Sequence, residues 1–174
     1  ISGQHEKAVN GTLTFMVGGK EDIYNKVLPL FNMMGTHIIY MGKSGNGQLT
    51  KMINNSLYDI NCVAFSEMMP FAQKLGLEPE KIASVVNSST GSSYASNFFL
   101  PKILENDFKG FSLNKAHKDL VHAEEAGKNN NIKTPLLLLA KSIYEDAMKK
   151  SGDENKGSII KLYEDELGVK FRKN

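Results

Sequence analysis

Gly42-Lys43-Ser44-Gly45-Asn46-Gly47-Gln48-Leu49-Thr50-Lys51-Met52-Ile53-Asn54-Asn55 is where the chain changes character. Before this stretch, short apolar runs are punctuated by glycines. After it, apolar residues recur at helical spacing. Three glycines loosen the backbone, and a helix is expected to begin near Gly47. On a regular helix Lys51 and Asn55 stand at i and i+4, about 5–6 Å apart at Cβ on one face. A cationic proton donor beside a neutral amide suits a substrate that carries a carbonyl and a carboxylate. The plainer reading of the same residues is a glycine-marked helix start with a solvated lysine.

Forward from Gly47, one long helix is expected to reach about Leu75 and stop at Gly76. Its apolar residues, among them Leu49, Met52, Ile53, Leu57, Ile60, Val63, Phe65, Met68, Met69 and Phe71, cover more than one stripe. Such a helix should be buried on several sides. Pro70 is expected to kink it. Pro79 suits the first turn of a further helix, and residues 88–93 read as a loop. Helices are expected near 94–105, 113–130, 135–150 and 157–167. Thr134-Pro135 is a cap followed by a first-turn proline, and Leu136 to Leu139 read as core.

Backward from Gly42, Thr12 to Val17 alternates polar and apolar residues and ends at Gly18-Gly19, the pattern of a strand and turn. Ile23, Val27, Leu28, Leu30, Phe31 and Met34 follow at helical spacing, and His37 to Met41 is a second short strand. The first 41 residues therefore read β-α-β, too little for a sheet that stands alone.

Composition narrows the function. With 41% hydrophobic and 23% charged residues over 174 positions, the chain is an ordinary globular one with enough apolar content for a core. A net charge of +2 gives no case for nucleic acid or an anionic membrane surface. No apolar run approaches the ~20 residues of a membrane span. Cys62 is the one cysteine, which excludes an internal disulfide and fits a reducing compartment. It sits mid-helix with no paired base and reads as a small core residue. His5, His37, His117 and His122 make no metal-ligand pattern, so no metal is expected. Gly42, Gly45 and Gly47 are spaced in the wrong order for the dinucleotide fingerprint, and Gly11 lies too far before Gly18-Gly19 to complete one. Lys118-Asp119 begins as a surface pair on an amphipathic helix, and Phe111 reads as core.

Taken together, these pieces are more specific than any alone. Ser2-Gly3, Gly11-Thr12-Leu13, Met16-Val17-Gly18-Gly19, the Gly42 to Asn55 segment and Lys118-Asp119-Leu120 come in an order that resembles the β-hydroxyacid dehydrogenases. This is the group of 3-hydroxyisobutyrate dehydrogenase and tartronate semialdehyde reductase. The likeness extends over essentially the whole chain, and Lys51-x-x-Asn54-Asn55 is its strongest part.

The resemblance implies a mainly α fold: an all-helical C-terminal dehydrogenase domain over residues 42–174 with a long central helix. It is preceded over residues 1–41 by the last β-α-β part of a Rossmann domain. The expected activity is NAD- or NADP-dependent interconversion of a small 3-hydroxy acid and its semialdehyde. Most of the cofactor contact is expected from a preceding domain, and a homodimer in the cytoplasm or the mitochondrial matrix is implied. By motif, Lys51 is the expected catalytic lysine. Asn55 holds substrate, and Ser2 and Gly3 bind its carboxylate by hydroxyl and backbone N–H. Lys118 approaches the cofactor, and Asp119 and Phe111 border the site. Two positions depart from the family pattern. Gln4 stands where a second glycine is usual, and Lys7-Ala8 stands where Gly-Ala is usual. The related 6-phosphogluconate pattern is disfavoured, because Asn54 and Tyr58 replace its histidine and glutamate. The alternative is a non-catalytic helical module that only dimerises. The retained Lys51 speaks for the enzyme.

Overall fold

The computed structural model describes residues 1–110 and 113–173, Gln4 through its backbone alone. The chain forms two compact units, Ile1–Asn54 and Asn55–Asn174. The boundary falls inside the long helix.

In the first unit, β1 (Leu13–Val17) and β2 (Gly35–Tyr40) pair in parallel, and α2 (Glu21–Asn32) crosses between them. The β-α-β expected from the alternation is therefore present. Phe15 is buried and packs against Phe31, with ring centroids 4.9 Å apart and planes tilted by 36°. Gly35 is required beneath it: a Cβ there would lie 2.3 Å from the Leu13 carbonyl oxygen and 2.9 Å from the Phe15 ring. A short helix, α1 (Gln4–Val9), precedes β1. The sequence reading did not anticipate it, because so short a segment, exposed from His5 to Val9, carries no apolar period.

α3 (Asn46–Lys74) opens in the first unit and continues through the second. Pro70 neither ends nor interrupts it. The expectation of burial on several sides needs correction. Cys62, Val63, Phe65, Ser66 and Met69 are buried, but Leu49, Ile53, Leu57, Met68, Phe71 and Leu75 are exposed along another stripe. One chain supplies cover for one face only.

The second unit adds α4 (Pro79–Ser88), α5 (Tyr94–Leu104), α6 (Leu113–Asn129), α7 (Pro135–Ser151), a 3₁₀ turn (Lys156–Ile159) and α8 (Ile160–Leu167). Its core holds Phe65, Phe99, Leu100, Ile103, Leu120, Tyr144, Ile160 and Phe171. α5 starts with a capping box: the Ser96 N–H donates to Ser93 Oγ and the Ser93 N–H to Ser96 Oγ, at 3.0 and 2.9 Å. Thr134, the expected cap of α7, makes no side-chain cap hydrogen bond. Its side chain instead packs on Gly127, 3.6 Å from where a Cβ would stand. Of the four leucines read as core only Leu137 is buried; the other three are exposed. A helix can turn only part of a continuous apolar run inward.

Candidate active site

The glycines of the opening stretch have separate structural reasons. A Cβ on Gly47 would lie 2.3 Å from the Met16 carbonyl oxygen. One on Gly18 would lie 2.6 Å from the Lys43 carbonyl oxygen and 3.0 Å from the Gly47 nitrogen. Here the first turn of α3 crosses the end of β1 backbone to backbone, which only glycine permits. The Asn46 side-chain amide donates to the Met41 carbonyl at 2.7 Å, and the Gly19 N–H donates to the Gly42 carbonyl at 2.8 Å. The segment expected to be a loose joint is thus a packed crossing. It leaves Gly18 pressed on the chain's own backbone rather than open to a phosphate. Lys51 stands one turn further along, half-buried, on a helix start that cannot slide against β1.

Ser2 is held in the same unit. Its backbone exchanges two hydrogen bonds with Thr14 of β1, at 2.8 and 2.9 Å. Gly3 follows at φ +138°, a conformation that favours glycine. Lys51 belongs to the same compact unit as Ser2. Gln4 opens α1; its side chain lies outside the described residues.

In the second unit the Asn55 amide donates to Asp119 Oδ2 at 2.8 Å, tying α3 to α6. Asp119, read as part of a surface pair, is partly buried and engaged, whereas its neighbour Lys118 is exposed. Phe111 lies outside the described residues. One turn beyond Asn55 stands Asp59, fully buried, with its Oδ1 paired to the Lys156 ammonium of the 3₁₀ turn. Its Oδ2 is buried with no hydrogen-bond partner among the described residues. Lys156 also lies over the Tyr58 ring, 4.3 Å from its centroid, and the fully buried Tyr144 hydroxyl donates to the Asp59 carbonyl oxygen at 3.3 Å. Burial pushes the Asp59 carboxyl up, against the pull of Lys156, and the nearby Asp119 charge adds to the rise. Burial likewise pushes the Cys62 thiol up, which removes it as a thiolate nucleophile. The sequence reading passed over Asp59 and Lys156. The available signal was the i, i+4, i+8 row of Lys51, Asn55 and Asp59 on one helix face.

Chemically, the first unit offers an ammonium at Lys51 and a hydroxyl and N–H at Ser2-Gly3, on a backbone held by Thr14. The second unit offers an amide oriented by Asp119 at Asn55. Among the described residues no group of three or more histidine, cysteine or acidic side chains could hold a metal ion. No described helix is long and apolar enough to cross a membrane.

Residues 45–163 match a family described as NAD-binding of NADP-dependent 3-hydroxyisobutyrate dehydrogenase. Residues 1–42 match the NAD binding domain of 6-phosphogluconate dehydrogenase. The 2-(hydroxymethyl)glutarate dehydrogenase of Eubacterium barkeri is 36% identical over 172 residues, 97% of this chain and 57% of that protein. Among solved structures, Mycobacterium tuberculosis 3-hydroxyisobutyrate dehydrogenase with L-serine is similar at a TM-score of 0.82 and 31% identity, covering 92% of this chain and 58% of that one. A 3-hydroxyisobutyrate dehydrogenase from Salmonella typhimurium shares the fold at a TM-score of 0.86 and 22% identity, over 92% and 57%. The chain thus spans little more than half the length of these relatives.

Proposed function

Because the chain belongs to the 3-hydroxyisobutyrate dehydrogenase family, we propose that it is the C-terminal part of an NAD(P)-dependent oxidoreductase interconverting a small 3-hydroxy acid and its semialdehyde. The observation that carries this reading is Lys51, fixed on α3 by the Gly18–Gly47 crossing and in the same compact unit as Ser2. In the reductive direction the Lys51 ammonium would stabilise the oxygen that gains negative charge and give it a proton, becoming a neutral amine. In the oxidative direction the amine takes that proton back. Ser2 and Gly3 would hold the carboxylate with the hydroxyl and N–H. Asn55, turned by Asp119, would hold the substrate oxygen, and Phe111 would border the site.

The cofactor supplies or accepts the hydride. The residues present fit part of it. β1, α2 and β2 form the parallel β-α-β of a dinucleotide fold, and Lys118 offers an exposed ammonium to an anionic group. The G-x-G-x-x-G turn that grips a pyrophosphate does not occur in the 174 residues. We place residues 1–41 in the nucleotide domain and 42–174 in the helical domain. The exposed stripe of α3 supports a homodimer, in which a second copy covers Leu57, Met68 and Phe71. The reading is tested by steady-state assay of the full-length protein with NAD or NADP and hydroxymethyl carboxylic acids. Saturable reduction of the cofactor supports it, and no turnover with any such acid overturns it.

A further inference from the structure

We propose that Lys7 is a specificity-determining residue that selects substrates with a second anionic group, a dicarboxylic 3-hydroxy acid over a monocarboxylic one. The inference rests on the reading of Ser2-Gly3 as the carboxylate-binding corner. A side chain on a helix leans toward the N-terminus, so that residue i+4 lies over residue i. Lys7 is i+4 from Gly3, and its N–H donates to the Gly3 carbonyl at 3.3 Å. Its stem lies on Gly3 itself: a Cβ on Gly3 would stand 2.6 Å from Lys7 Cβ and 2.9 Å from Lys7 Cδ. The absence of a side chain at Gly3 is what lets the stem pass, and the ammonium is two bonds beyond Cδ.

The charge balance points the same way. Ser2 and Gly3 offer neutral donors, and Lys51 is assigned to the reacting oxygen. The first substrate carboxylate takes those neutral donors. Lys7 leaves a positive charge that a second carboxylate complements. Lys7 is exposed, as are His5 and Glu6, which stand on other sides of α1.

The test uses the full-length protein and two probes, 2-(hydroxymethyl)glutarate and 3-hydroxyisobutyrate, with wild type, Lys7→Met and Lys7→Arg. In wild type kcat/KM should favour the diacid, and added salt should shrink the preference. Lys7→Met should lower the diacid-to-monoacid ratio about five-fold, the scale of one partly exposed ion pair, mainly through KM. Lys7→Arg should keep the ratio. An unchanged ratio in Lys7→Met overturns the proposal, as does an active wild type that prefers the monoacid. If wild type turns over neither acid, the dehydrogenase reading fails, and calorimetric binding of glutarate against butyrate decides the inference by itself. Diacid binding that Lys7→Met weakens supports it, and equal binding of both acids overturns it.

Discussion

The Asn55 side-chain amide donates to the Asp119 carboxylate across 2.8 Å, joining α3 to α6 through two residues 64 positions apart in sequence. An ionised carboxylate only accepts hydrogen bonds, so it fixes which end of the amide faces it. Asp119→Ala should free the amide to rotate. We expect kcat/KM for the hydroxy acid to fall about ten-fold or more, the scale of one hydrogen bond to a charged group, with little change in cofactor affinity. Equal kcat/KM in variant and wild type would remove Asp119 from the site.

Lys156 and Asp59 make a second prediction, in stability. Lys156→Met leaves a buried carboxylate without its cation and should cost about 3 kcal/mol, whereas Asp59→Asn/Lys156→Met should come close to neutral. The sign with pH follows from the raised Asp59 carboxyl. A group whose proton affinity is raised by folding contributes stability below its usual value and loses it as pH rises through the folded value. Lys156→Met raises that value further, so its loss of melting temperature should be smallest in acid and grow toward neutral pH. Thermal melts from pH 4 to 8 check this. A pH-independent loss would contradict it.

The apolar stripe of α3 should be an interface between two copies. Leu57 is 58% exposed and Leu75 67% exposed, too much apolar surface on one helix to leave in water. Leu57→Asp with Met68→Asp should convert a dimer to a monomer in sedimentation without loss of helicity. A wild type that sediments as a monomer at micromolar concentration would refute the interface.

Gly47→Ala should destabilise the first unit by about 1–3 kcal/mol, the usual range for overpacking, because the added methyl meets the Met16 carbonyl oxygen. Gly45→Ala meets no atom within 4 Å. It is strained by its φ of +93° alone and should cost less. Denaturant midpoints for the two variants, read at constant slope, order the effects. The opposite order would mean that the crossing is not the reason for Gly47.

Local periodicity made most of the fold legible. The strands at Thr12–Val17 and His37–Met41, and the helix from Gly47, carry their own spacing signals and lie within two residues of the observed bounds. α1 was illegible because six residues without an apolar face leave no period to read. The expected burial of α3 on several sides did not separate its covered face from its exposed stripe, since periodicity marks which residues avoid water but not which molecule covers them. At the site, Lys51 and Asn55 were legible as a helix pair. Asp119 was not legible as the partner of Asn55, and Lys156 not as the partner of Asp59. Those contacts span 64 and 97 positions, and only the packing of α6 and the 3₁₀ turn against α3 creates them.

The central claim is that Lys51 moves the proton in a hydroxy acid dehydrogenase. It is tested most directly by turnover of the full-length protein with NAD or NADP, wild type against Lys51→Ala, with the 174-residue chain alone as a third arm. We predict saturable activity in wild type, and a kcat lower by about 10²-fold or more in Lys51→Ala, the scale of general acid–base catalysis, at unchanged cofactor affinity. The 174 residues alone should show no turnover, because they carry no pyrophosphate-binding turn to hold the nicotinamide in place. Near-normal kcat in Lys51→Ala would contradict the account.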